Sequence, residues 1–226
     1  MIFFLHGSIG LPTDWDNIIN SLHSFENHAV NLYDYSSEEI SKTARKINES
    51  ARTDDIIIGY SLGARIALQA LLEKDSPWSK AVIISGHSGI TESKYRNARI
   101  SHDKEWSELC MNDWPKFINS WEKQSIFNNS KPLENRDSLR PFSNKISETF
   151  INWSSGKQSP PINEFNKIKI PTLWLAGELD IKYIKIAEQA CNILPHAKLK
   201  IIQNSGHRVP WDNPKDTANA INVFIS

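Results

Sequence analysis

The chain has 226 residues, a length that suits one large domain better than two small ones. Its 26 lysines and arginines balance 26 aspartates and glutamates, which excludes a basic face broad enough to track a nucleic-acid backbone. Hydrophobic residues make up 39%, an ordinary share for a globular protein, and runs such as Ile56-Ile57-Ile58 are far too short to span a membrane.

The opening MIFFLHGS has neither a charged n-region nor a small-residue cleavage site, so it does not read as a signal peptide. From there, short β-branched runs alternate with helical patterns, as in a parallel sheet built from βαβ units. Strands are expected at Ile2–Leu5, Ala29–Leu32, Asp55–Gly59, Ala81–Ser85, Thr172–Gly177 and Lys198–Ile202. Ser36, with Glu39 three residues on, reads as a capping box opening a helix that runs to Ser50. Leu62–Leu72 is apolar on nearly every side, the pattern of a helix buried against a sheet. Tyr183–Leu194 and Pro214–Ile225 show a cleaner helical period, and Pro214 suits a first turn.

The alternation stops between Gly86 and Lys169. That stretch holds four of the eight tryptophans (Trp106, Trp114, Trp121, Trp153) together with Phe117, Phe127, Phe142 and Phe150. It reads as several short helices inserted between two strands and leaving through Lys157-Gln-Ser-Pro-Pro161. Insertions at strand C-termini commonly cover a ligand crevice, although most of these aromatics are expected to pack the insert's own core. Cys110 and Cys191 form no CxxC and no metal-ligand spacing, which points away from disulfides and zinc and toward a reducing, cytoplasmic setting.

The chemistry begins at Gly59-Tyr60-Ser61-Leu62-Gly63, directly after one expected strand and before the buried helix. A serine on so sharp a turn needs small neighbours, and the turn lifts its hydroxyl above the sheet at a helix N-terminus. A serine hydroxyl is inert at neutral pH unless a histidine takes its proton and an acid orients that histidine. Asp180 follows the strand Thr172–Gly177, and His207 follows Lys198–Ile202. Taken singly, Asp180 fits a helix-capping aspartate and His207 a surface-loop histidine. Together with the serine they stand in the order serine, acid, histidine, each just past a strand. Leu5-His6-Gly7-Ser8 ends the first strand in a tight turn, so the N–H groups of Ser8 and Leu62 are expected to form an oxyanion hole. His6 reads as a residue shaping that turn, and His87 as one able to line the site. His23, His28, His102 and His196 read as solvated or packing positions.

With these residues the chain resembles the α/β-hydrolase superfamily over nearly its whole length. It is similar more narrowly to the family of 2-succinyl-6-hydroxy-2,4-cyclohexadiene-1-carboxylate synthases of menaquinone and phylloquinone biosynthesis. The resemblance is carried by Gly59-Tyr-Ser-Leu-Gly-Ala-Arg65, by Ser85-Gly-His-Ser-Gly-Ile90 with Arg99 and Trp106, by Trp121-Glu-Lys-Gln-Ser-Ile-Phe127, and by Ile170 to Lys182 around the acid. It implies an α/β-hydrolase fold whose mostly parallel sheet lacks the family's first two strands. Residues 1–85 and 170–226 would form the core, and 86–169 a helical cap. It also implies a lyase without metal or organic cofactor, in which Ser61, backed by His207 and Asp180, takes a proton and pyruvate leaves. Tyr60, Arg65, Arg99, Trp121 and Arg140 would then bind a small polycarboxylate. Three differences from the family stand out: the missing strands, Tyr33-Asp-Tyr-Ser-Ser in place of a Gly-His-Gly turn, and Arg-Val-Pro-Trp-Asp after His207.

Two other functions fit parts of the same pattern. A carboxylesterase or acyl hydrolase would use the triad through an acyl-serine, but a hydrophobic ester gives Arg65 nothing to hold. A binding module on the same fold would have no physical reason to keep Ser61, Asp180 and His207 together.

Overall fold

Six strands form one sheet in the computed structural model, which describes residues 1–22, 25–159 and 161–226. In chain order the strands are β1 (Ile2–Leu5), β2 (Asn27–Val30), β3 (Ile56–Tyr60), β4 (Lys80–Ile84), β5 (Thr172–Gly177) and β6 (Ala197–Ile202). The helices are α1 (Asp16–Ile19), α2 (Ile40–Ser50), α3 (Leu62–Leu72), α4 (Ser93–Asn112), α5 (Trp114–Glu122), α6 (Ser143–Asn152), α7 (Ile181–Cys191), α8 (Val209–Asp212) and α9 (Pro214–Ile225). The strand order is β2-β1-β3-β4-β5-β6 and every pairing is parallel.

A parallel sheet is covered on both faces, so its central strands are apolar throughout. β1, β3 and β5 are buried along their whole length. Alternate side chains then feed two separate cores. Phe3, Leu5, Ile57, Ile83 and Trp174 pack with residues of α2, α3 and α7. Ile2, Phe4, Ile58, Ile84 and Leu175 pack with Trp15, Ile18, Val209 and Ile221 on the opposite face.

The chain leaves β1 toward β2 on one side and then crosses to β3 on the other. Ligands in open α/β sheets bind outside the strand C-termini at such a reversal. The turn after β1, with Ser8, and the turn after β3, with Ser61, are therefore brought side by side.

β3, β4 and β6 start one residue and α7 two residues from the expected positions, and the displacements of β2 and α2 have identifiable causes. β2 begins at Asn27 and ends at Val30, because the Asn31 side chain accepts the Tyr33 N–H and opens a 3-10 turn over Leu32–Tyr35. Ser36 closes that turn and does not cap a helix: its hydroxyl donates to Glu148 on α6 at 2.6 Å. α2 starts at Ile40, with Glu39 as its N-cap residue.

Between β4 and β5 the described residues hold helices and 3-10 turns but no strand. Trp106, Trp114, Phe117 and Phe150 share a core with Leu139 and Ile146, so these aromatics pack the insert itself. Trp153 joins the main core instead, where its indole N–H donates to the Glu38 carbonyl at 2.8 Å. Pro160 of the expected exit loop and His23 lie outside the described residues. Among the described residues no helix is long and apolar enough to cross a membrane.

Candidate active site

Ser61 has φ 50° and ψ −105°, a backbone geometry that side-chain-bearing residues rarely adopt. Its flanking glycines explain how the turn closes. A side chain at Gly59 would run into the Gly63 carbonyl, and one at Gly63 into the carbonyl of Leu5. The strained turn is fixed by the Ser61 N–H, which donates to the Ile84 carbonyl of β4 at 2.9 Å.

His207 Nε2 lies 3.1 Å from Ser61 Oγ, and its Nδ1 lies 2.9 Å from Asp180 Oδ2. The carboxylate can only accept, so Nδ1 carries the proton and Nε2 presents its lone pair to the serine hydroxyl. Asp180 makes contacts compatible with both roles the sequence allowed. Its Oδ1 caps α7 by accepting the Tyr183 N–H at 3.3 Å while Oδ2 holds the histidine. Burial pushes the His207 imidazole below its ordinary range, opposed by its hydrogen bond to Asp180. The Ser85 hydroxyl donates to the His207 carbonyl at 2.8 Å, and the Tyr183 ring packs edge-on against the imidazole. Neither contact is legible from local sequence, since both partners are distant in the chain.

His6 is buried and neutral. Its Nε2 accepts the Leu32 N–H at 3.1 Å, which leaves Nδ1 to donate to the Gly7 carbonyl at 2.8 Å. Desolvation lowers its pKa to about 4. It shapes the turn, as expected, and takes no part in the proton relay.

A cavity of about 100 Å³ opens over Ser61. Ser8 and Leu62, the two residues expected to supply N–H donors, both border it. Arg65, Arg99 and Trp121 line it as well, and Gln124 and Phe127 of the insert close the far side. None of the described lining residues is a carboxylate. His87 also borders the cavity; burial and the nearby Arg65 cation bring its pKa down to about 4.

Arg65 is buried, and desolvation followed by the neighbouring Arg99 charge depresses its pKa to about 10. Its Nε and one terminal nitrogen donate to Gln158 Oε1 at 3.1 and 2.9 Å, and the same terminal nitrogen donates to the Trp153 carbonyl at 2.7 Å. These partners are neutral, so the guanidinium keeps its full charge at the cavity wall. Arg99 is steadied by Asp103, one helical turn on, at 2.8 Å.

Two expected pocket residues lie elsewhere. Tyr60 is buried below the cavity wall, with its ring against Gly7 and Trp211, because a residue preceding the elbow serine on β3 points to the opposite face of the sheet. Arg140 is exposed on a 3-10 turn and does not line the cavity. The arginine of that turn which does face inward is Arg136, paired with Asp14 at 2.7 Å. Among the described residues no three His, Cys, Asp or Glu side chains converge in a way that would hold a metal ion.

A protein called 2-succinyl-6-hydroxy-2,4-cyclohexadiene-1-carboxylate synthase from Yersinia pestis (strain Pestoides F) is 21% identical over 241 aligned positions, covering 100% of this chain and 87% of that protein. Among solved structures, MenH from S. aureus superposes with a TM-score of 0.80 at 23% identity, covering 99% of this chain and 92% of that one. The esterase EaEST from Exiguobacterium antarcticum superposes with a TM-score of 0.71 at 17% identity, over 99% and 91% of the two chains. The model of the Alpha/beta hydrolase family matches residues 2–220, and the chain belongs to that family.

Proposed function

We propose that this enzyme is a lyase that eliminates pyruvate from the succinyl-cyclohexene dicarboxylate intermediate of menaquinone or phylloquinone biosynthesis. The observation that carries this reading is the charge of the cavity: the described lining residues include two arginines and no carboxylate, beside the Ser61–His207–Asp180 chain. A polycarboxylate matches that wall, whereas a neutral ester leaves Arg65 buried with neutral hydrogen-bond partners and only the Asp103 carboxylate, already paired with Arg99, nearby. The synthase name borne by relatives that align with the whole chain supports the same choice.

In this reading Ser61 Oγ takes a proton from the substrate ring as its own proton passes to His207 Nε2. Asp180 stabilises the imidazolium that results. The N–H groups of Ser8 and Leu62 hold the negative charge that develops on oxygen. The electron pair of the broken C–H bond then forms a ring double bond as the C–O bond to the leaving group breaks. The departing enolate takes the proton from His207 Nε2 and leaves as pyruvate. Arg65 and Arg99 grip carboxylates, and Arg65 keeps one terminal nitrogen free for a charge-assisted contact. Water is the competing reactant, so a covered site favours elimination over hydrolysis. The cavity of about 100 Å³ is smaller than the 300–1,000 Å³ of usual ligand pockets, so residues 86–169 act as a cap that parts to admit substrate.

Incubating the purified protein with the pathway intermediate and following pyruvate is the direct test. Release that vanishes in Ser61→Ala is the expected result. A second reading, a carboxylesterase working through an acyl-serine, draws on the superposition with EaEST. It would replace the first if small neutral esters were turned over and the intermediate were left intact.

A further inference from the structure

His207 is held between two residues that are both bound to the insert. On one side, Gly206 lies flush against the insert: a side chain there would run into the Asn129 carbonyl and Ser130. On the other side, Arg208 is 1% exposed, and its guanidinium makes a two-pronged contact with Glu122 at the end of α5, at 2.7 and 2.8 Å. The same guanidinium donates to the Lys131 carbonyl at 2.9 Å and lies 3.9 Å above the Phe127 ring. The Ser130 hydroxyl accepts the Arg208 N–H at 3.0 Å and donates to Asp212 at 2.8 Å. Asp212 also accepts the N–H groups of Lys131 at 2.8 Å and Gly206 at 2.9 Å.

We propose that Arg208 is a positioning residue, whose ion pair with Glu122 makes the docking of residues 122–131 set His207 in register with Ser61. This rests on the reading of Ser61, His207 and Asp180 as the catalytic relay. Arg208 touches no reacting atom; it acts through the backbone of its neighbour. A fork-to-fork pair fixes direction as well as distance, which a lysine in its place would not. Removing Glu122 strands the buried Arg208 cation, and removing Arg208 leaves the half-buried Glu122 without its partner, so the docked state depends on both. The insert thereby controls more than access. Its closure and the alignment of the base become one event.

The readout is the rate at which a fluorophosphonate labels Ser61, measured from pH 4 to pH 9 on the full chain, with folding checked by thermal unfolding. Labelling needs the neutral imidazole and its alignment but no particular physiological substrate. Arg208→Gln and Glu122→Gln should each slow labelling by about tenfold to a hundredfold, the cost of a reacting group displaced by about 1 Å. The double variant should be no slower than the slower single one, since both remove one pair.

The pH profile separates positioning from general loss of stability. The charged and titratable groups facing His207 are Asp180 and Lys182 from the start of α7, Arg208, Ser61, Tyr60, Tyr183 and His87. Arg208 disfavours the imidazolium, so Arg208→Gln should move the acid limb upward. Glu122→Gln leaves the guanidinium in place and should not move it upward. Arg208→Lys should slow labelling while keeping the wild-type limb, because it keeps the charge and loses the fork. Unchanged labelling in folded Glu122→Gln, or losses that multiply in the double variant, would overturn the proposal. Absence of labelling in the wild type would instead remove the activated serine, and this inference with it.

Discussion

The sheet and the insert meet at one cavity but hold their contributions to it in different ways. Ser61, Asp180 and His207 follow β3, β5 and β6; Ser61 and Asp180 are fixed locally, by a positive φ and a helix cap, while His207 is held by the Ser85 hydroxyl and, through Arg208, by the insert. The cationic wall depends on side chains reaching across the chain, as when Gln158 and Trp153 of the insert hold Arg65 of α3. In the proposed reading the serine and the acid are set by the scaffold, whereas the base and the cationic wall both depend on contacts with the insert. Variants of the two regions should fail differently.

The largest expected effect is in the scaffold set. Ser61→Ala and His207→Ala should each lower turnover by roughly a hundredfold to ten-thousandfold, the range for a positioned acid–base group. Because the pair acts as one unit, the double variant should lose little more than either single one. Steady-state rates that fell by the product of the two would break the assignment.

Next comes the wall. Arg65→Lys should weaken pyruvate elimination by about tenfold to a few hundredfold, corresponding to about 1.5–3 kcal/mol for a charge-assisted pair. Hydrolysis of a small neutral ester should barely change. Equal losses on both substrates would mean that Arg65 serves the scaffold and not recognition.

The scaffold should also carry the acid sensitivity. In the unfolded chain an imidazole takes up its proton near 6.5, whereas His6 in the fold does so at about 4. Between those values the unfolded state binds more protons, so stability present above pH 6.5 is lost as pH falls toward 4. The contribution is at most about 3 kcal/mol at 1.36 kcal/mol per unit. His6→Gln should flatten the dependence of Tm on pH in that window, leaving the shares due to His87 and His207, whose imidazoles burial also holds below the ordinary range. An unchanged slope would place the sensitivity elsewhere.

The smallest effect is expected at Gln158→Leu, which removes a neutral acceptor from Arg65. KM for the intermediate should rise by about threefold to tenfold, in line with a net hydrogen-bond worth of about 0.5–1.5 kcal/mol. A matching fall in kcat with KM unchanged would count against a purely binding role.

The same division explains what could be read without coordinates. β1, β5, α3 and α9 have the expected limits because glycines, a proline or an abrupt change of pattern bound them. β2 was displaced because an edge strand is part polar and its alternation is weak; Asn27 and His28 belong to it. The Ser36 signal misled because a serine near a helix start serves equally well as a partner for a distant side chain, here Glu148. The elbow and the order of acid and histidine were visible in short motifs. Gln158 beneath Arg65, Ser85 beneath His207 and the Arg208–Glu122 pair were not, since each joins residues far apart in sequence. Arg140 and Arg136 show the limit most plainly. One turn of a short helix separates an exposed arginine from one that reaches Asp14, and composition alone does not say which faces inward.

The two oxygens of Asp180 bear on how such sites arise and persist. Because Oδ1 serves the helix, the side chain is ordered whether or not a histidine stands opposite. A lineage that loses His207 therefore keeps its acid in place under selection for folding alone. Regaining the relay then requires one residue and not two. An aspartate capping the helix after a strand is a standing invitation to catalysis, and drift across this fold has a short way back to a working site.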